Sequence, residues 1–128
     1  MSLSQTDADE LSGFLSNITQ NTELEALALV TREGMRLAFS AIPDYDIDPD
    51  SLCAMSAVLL QSGMDSVEKI GYNKLIEVVL RGNRSFMVLS SAGRFFLIGA
   101  SRNIKDLGKT VTVFRYYAKK ISESYPDR

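Results

Sequence analysis

Histidine is missing from this chain, and cysteine occurs once. Without histidine the chain lacks the side chain that most often serves as general base and metal ligand near neutral pH, and no histidine-based triad can be assembled. The lone Cys53 excludes an internal disulfide, which fits a reducing compartment and makes a cytoplasmic location the expectation. It sits in an apolar stretch with no histidine to activate it, so it reads as a small buried hydrophobe and not a nucleophile. CxxC, HExxH and GxxxxGK[ST] strings are absent, which leaves zinc and P-loop chemistry without support. No apolar run is long enough to span a bilayer, and the opening MSLSQTDADE has neither the basic region nor the apolar core of a secretory signal. Internal repeats, low-complexity segments and dense basic runs are lacking as well. The expectation from these absences is a protein with no catalytic residues, no metal and no cofactor of its own, and no insertion into membranes.

What is present suits one domain spanning residues 1–128, with a core of about 6–124. The 128 residues are 45% hydrophobic and 23% charged, enough for a substantial core. The net charge of −2 is unevenly spread: residues 1–50 hold ten acids against two bases, and residues 51–128 hold twelve bases against six acids. Acids gathering at helix starts and bases at helix ends account for this. Lys105, Lys109, Arg115, Lys119 and Lys120 near the C-terminus are too widely spaced for a nucleic-acid-binding stripe, so no nucleic acid is expected.

The pattern predicts eight elements. Leu11, Phe14, Leu15 and Ile18 repeat at helical spacing, giving a first helix over roughly 7–20 capped by Thr6. Residues 24–31 and 35–40 read as a hairpin closed by Arg32-Glu33-Gly34. The acidic link Asp44-Tyr45-Asp46-Ile47-Asp48 resembles the start of a calcium loop, but Pro49 stands where that loop needs glycine and Met55 where it needs glutamate. It therefore reads as a solvated lead-in, with Asp48 capping a second helix over 49–70 and Pro49 at its first position. Strands follow at 74–81, 84–91 and 94–100, with turns at Gly82-Asn83 and Ala92-Gly93. Arg81 and Arg84 would then face each other across the first of these turns. Phe86 and Val88 oppose Met87 and Leu89, and Phe95 and Leu97 oppose Phe96 and Ile98, so both sheet faces should be covered. Leu107, Val111, Phe114, Ala118 and Ile121 form the core stripe of a last helix over 104–124. The order α-β-β-α-β-β-β-α predicts a three-layer α/β/α sandwich on a five-stranded antiparallel sheet, with helices one and three on one face and helix two alone on the other.

Helix two is the most informative element. Leu52, Met55, Leu59, Leu60, Met64, Val67 and Ile70 spread over about half its circumference, wider than packing on one sheet requires. One cover is the chain's own sheet, and the second would be another molecule. Leu52, Leu59 and Ile70 are assigned to the core. Met55, Val58 and Met64 fit core or interface equally, methionine being adaptable at binding surfaces. Ser56, Gln61, Ser62, Asp65, Glu68 and Lys69 would form a polar rim.

The segments ALALVTREGMRLAFS, LCAMSAVLLQSGMDSVEKIG, LIEVVLRGNRSFMVLSSAGRFFLIGAS and LGKTVTVFRYYAKKI, in this order, resemble the Roadblock/LC7 family over roughly residues 6–124. The likeness is to its compact single-domain prokaryotic members. Glu33-Gly34 stands where the family often has Asp-Gly. The resemblance implies a profilin-like fold and a homodimer, or a heterodimer with a related subunit, in which the second helix and a strand edge of each subunit meet. It implies an interface at Met55, Val58, Leu59, Ser62, Met64, Asp65, Ile76 and Val78. It further implies a regulator or scaffold of a Ras-like small GTPase. In the bacterial polarity system such a dimer accelerates GTP hydrolysis without donating an arginine finger, so GTPase activation is one expected effect. Two readings compete: a small-ligand sensor, and a scaffold subunit of a larger complex without GTPase contact. An enzyme ranks last.

Overall fold

The computed structural model describes residues 3–103 and 105–127. Its elements are α1 (Gln5–Asn21), β1 (Ala26–Thr31), β2 (Arg36–Ala41), α2 (Pro49–Lys69), β3 (Glu77–Arg81), β4 (Phe86–Ala92), β5 (Phe95–Ser101) and α3 (Leu107–Ser124). The strands form one antiparallel sheet in the order β2-β1-β5-β4-β3, the predicted sandwich. Successive strand residues point to opposite faces. Accordingly Leu27, Leu29, Phe86, Val88, Phe95 and Leu97 pack with α1 and α3. Ala28, Val30, Leu89, Phe96 and Ile98 pack with α2 on the other side. The expected α3 stripe is the one that enters the core: Phe114, Ala118 and Ile121 are buried, with Leu107 and Val111 partly so.

Several boundaries differ from expectation for local reasons. Helix α1 begins two residues earlier, because Ser4 and not Thr6 caps it. The Asp7 amide donates to the Ser4 hydroxyl at 3.1 Å, and the Ser4 amide donates to the Asp7 carboxylate at 3.0 Å. Those bonds hold the Asp7 carboxyl below the usual range. Asp48 caps α2 as predicted, accepting from the Asp50 amide and the Ser51 hydroxyl, with Pro49 next. The proposed α3 start at Ile104 lies outside the described residues; the helix proper starts at Leu107, with Asp106 as its cap.

Strand β3 is shorter than the predicted 74–81. Its first ladder pair is Glu77 opposite Ser90. Upstream, the Ser90 hydroxyl donates to the Ile76 carbonyl at 3.0 Å, so a side chain and not a backbone rung meets residue 76. The β3–β4 turn is also displaced by one residue. The Gly82 amide donates to the Ser85 carbonyl at 2.8 Å, placing Asn83-Arg84 at the tip. Gly82 does not adopt the positive φ that a leading glycine of a type II′ turn requires. Arg81 consequently pairs with Phe86, and the expected opposition of Arg81 and Arg84 does not occur.

The uneven charge is partly satisfied inside the molecule. Arg102 forms a two-pronged contact with Glu25 at 3.1 and 2.9 Å and lies 3.8 Å from Asp44. This pairing lowers the Glu25 carboxyl from its ordinary value. Arg36 reaches Asp50 at 3.2 Å, and Arg115 grips Glu77 at 3.0 and 2.8 Å. Arg102, with Glu25 and Asp44, joins the basic second half to the acidic first half, whereas Arg36–Asp50 and Arg115–Glu77 each pair within one half; Asp44 and Asp48 of the acidic link serve as ion-pair and cap partners.

Candidate interaction surface

Helix α2 carries two stripes. Leu52, Cys53, Ser56, Ala57 and Leu60 are buried against the sheet, with Met64 half-buried behind them. At 100° per residue, Met55, Val58 and Ser62 fall roughly on the opposite side, and Leu59, seven residues after Leu52, lies on the flank beside the buried stripe. Met55 is 60% exposed, Val58 66% and Leu59 40%. A helix in a small domain usually turns polar residues outward at those positions. Here the outward stripe stays apolar for its first half and turns polar at Ser62 and Asp65, both exposed.

Three expectations change. Leu59, read as core from periodicity but placed at the interface by the resemblance, and Ile70, read as core, are exposed, Ile70 at 61%. Leu59 lies in line with Leu52 but about two turns further along, at the margin of the covered stripe, and Ile70 is the C-terminal cap. Ser56, assigned to the polar rim, is fully buried on the inward stripe, between Cys53 and Ala57 in the core-facing series. Its hydroxyl has no hydrogen-bond partner among the described residues. Ser56→Ala should therefore stabilise the fold by about 1 kcal/mol, from a relieved buried hydroxyl and better helix propensity. Chemical denaturation would read this as a higher midpoint at unchanged slope, and a lower midpoint would contradict it.

The other predicted residues divide. Val78 is half-buried on β3, turned towards α2 with Leu75, Leu80 and Met64. The helix comes close here because Gly63 offers no side chain: a Cβ at that position would stand 3.1 Å from Leu75 Cδ2 and 3.3 Å from Val78 Cγ2. Ile76 is 61% exposed but precedes the strand, and so does not contribute as a strand residue. The structure therefore brings Met64 and Val78 together at the α2–β3 seam. It sets Met55, Val58 and Leu59 on the outer helix surface. Val79, 37% exposed, and Tyr72, 71% exposed, add apolar surface that the sequence reading did not select.

The two sheet edges are unlike. The β1–β2 register shifts at a bulge between Leu29 and Val30, which bends that edge. β3 pairs regularly with β4 over five consecutive residues, and among the described residues its outer side has no neighbouring strand. A regular, unpaired edge beside an exposed apolar helix stripe is a surface suited to pairing with another chain. Cys53 is fully buried, and burial pushes its thiol up, away from reactive thiolate character. Among the described residues no group of three or more potential ligands could hold a metal ion, and no helix is long and apolar enough to cross a membrane.

Among solved structures, the chain is similar to MglB in a tetrameric arrangement, at 19% identity and TM-score 0.86, covering 98% of this chain and 94% of that one. It is likewise similar to the gliding protein MglB of Thermus thermophilus, at 18% identity and TM-score 0.86, covering 98% and 95%. A Roadblock/LC7 domain from Streptomyces avermitilis follows at 18% identity and TM-score 0.68, covering 88% and 91%. No family model matches the sequence, and no curated protein matches it. At such identities the likeness establishes architecture: the fold is that of Roadblock/LC7 domains, as the ordered sequence segments implied.

Proposed function

We propose that this chain, folded as a Roadblock/LC7 domain, works as half of a cytoplasmic dimer that binds a Ras-like small GTPase and modulates its nucleotide cycle without catalytic groups of its own. The observation that carries this reading is the outward apolar stripe Met55, Val58 and Leu59 beside the open edge of β3. Two copies related by a two-fold axis would cover both features at once, since such a contact joins like surfaces. Met64, Val78, Ile76 and the polar Ser62 and Asp65 would border it, and the whole chain would act as one unit. The likeness to MglB over nearly the full length supports the choice of partner class.

A non-catalytic binder alters a GTPase only by preferring one nucleotide state or one arrangement of the switch segments. The test is capture of the source organism's Ras-like GTPases on immobilised protein, loaded with GDP or with a non-hydrolysable GTP analogue. The expected outcome is a preference of about tenfold or more for one state, the differential that regulation needs. Equal capture of both states, or of neither, contradicts the proposal.

A further inference from the structure

Arg32 follows β1 in sequence, but its side chain serves the far end of β4. Its guanidinium Nη2 donates to the Gly93 carbonyl at 2.7 Å and the Ser91 hydroxyl at 3.2 Å, and lies 5.1 Å from the Phe96 ring centroid through its central carbon. The same Nη2 holds the Asp127 carboxylate at 3.1 Å, while Nε is buried without a hydrogen-bond partner among the described residues. The guanidinium is one wall of a notch of about 350 Å³. The notch exists because β3 begins only opposite Ser90, leaving the last part of β4 uncovered, while α3 crosses above it.

Four cations line this notch: Arg32, Lys74, Arg115 and Lys119. Two are matched, Arg32 by Asp127 and Arg115 by Glu77. Lys74 and Lys119 form no ion pair among the described residues, and the local balance is positive. A concave site lined by one sign of charge concentrates counter-ions. The chain's own Asp127 carboxylate, 55% exposed on its side chain, already occupies one donor and marks where an anionic oxygen sits. Leu75, Ile76 and Ala118 supply an apolar wall beside the charges. The volume is at the lower end for small-molecule sites, roughly 300–1,000 Å³, and exceeds what one carboxylate fills.

We propose that this notch binds a small phosphate-bearing molecule, with Lys74, Lys119 and Arg32 as donors and Asp127 as the internal competitor that the ligand displaces. Phosphate oxygens accept charge-assisted bonds from just such donors, and Arg32 is preset by its bonds to Ser91 and Gly93. The site is separate from the outward stripe of α2, so it does not rest on the dimer reading, although Ile76 lines it.

The test is titration of the full chain with inorganic pyrophosphate and with ADP at low ionic strength, followed by amide chemical shifts and calorimetry. Saturable binding is expected, with shifts centred on Ser91, Gly93 and residues 74–76. Tighter binding of ADP would assign the apolar wall to an organic moiety; equal binding would assign the site to phosphate alone. Lys119→Glu and Lys74→Glu should each weaken binding about tenfold. Asp127→Asn should strengthen it about threefold, the opposite of what loss of a merely structural contact would do. Lys105→Glu and Lys109→Glu, on or beside α3 but not lining the notch, should change it less than twofold. Absence of saturation by about 10 mM, an equal loss from the two control variants, or a weaker Asp127→Asn complex overturns the proposal. The same titration on Val58→Asp keeps its failure distinguishable from failure of the dimer reading.

Discussion

Val58→Asp is expected to convert the proposed dimer to monomers while leaving each fold intact. Val58 is 66% exposed on α2 and belongs to neither buried core cluster, so its replacement should change fold stability by no more than about 0.5 kcal/mol. In a two-fold contact the substitution occurs on both sides of the axis. Two carboxylates would then be stripped of water among Met55, Leu59 and their counterparts, since the cation on this side of the helix, Lys69, lies about three turns away in the last turn. Burying unpaired charge costs several kcal/mol, so the dimer dissociation constant should rise by roughly a thousandfold. Sedimentation velocity across a concentration series reads this directly, with circular dichroism confirming the unchanged fold. Since the proposed contact is apolar, high salt should leave a parent dimer together, unlike an assembly held by surface ion pairs. A parent chain that sediments as a monomer at tens of micromolar, or a variant that sediments like the parent, would remove the basis of the proposed function.

The parts legible in the sequence are those set by periodicity. Alternation assigned Phe86 and Val88 to one face and Leu89 to the other, because a strand has only two sides. The four-three spacing of α3 did the same for Phe114, Ala118 and Ile121. The excess apolar arc of α2 was visible too, and with it the idea of a second cover. Which residues made up the excess was not: Leu59 and Ile70 differ from Leu52 only in where the sheet lies beneath them, a tertiary fact. Turn placement failed at Gly82 because a tip at Gly82-Asn83 and one at Asn83-Arg84 differ by a single residue, and the structure closes on the Gly82–Ser85 pair. Arg32 was missed for a different reason. Locally it is an ordinary turn residue, and its role depends on Ser91, Gly93 and Asp127, from 59 to 95 positions away.

The second large effect is expected at the β4–β5 turn. Gly93→Ala should destabilise the fold by about 3 kcal/mol or more and lower the melting temperature by roughly 10 °C. Two costs combine. Gly93 has φ +65°, where an L side chain is strained by about 1 kcal/mol. Its missing Cβ would also collide with the Tyr125 backbone carbonyl oxygen and press on Ser122 Cα at 3.0 Å. That carbonyl accepts from the Arg94 amide at 3.0 Å, and the Tyr125 ring packs 5.6 Å from Phe95 between centroids. The Tyr125 hydroxyl further donates to Glu10 at 2.9 Å and to Asp7 at 3.1 Å; burial, followed by these two bonds to carboxylates, pushes its ionisation well above the ordinary tyrosine value. Making room for one methyl group therefore displaces the segment that ties α3 to the sheet and to α1. Gly71 separates the two costs. It has φ +75° at the end of α2, with its amide bonded to the Glu68 carbonyl and the Tyr72 amide to the Val67 carbonyl, yet a Cβ there would meet nothing within 4 Å. Gly71→Ala should consequently lose only the conformational share, about 1 kcal/mol. If thermal melts show the two alanine variants equally destabilised, the collision with Tyr125 contributes nothing, and the end of α3 is free to yield.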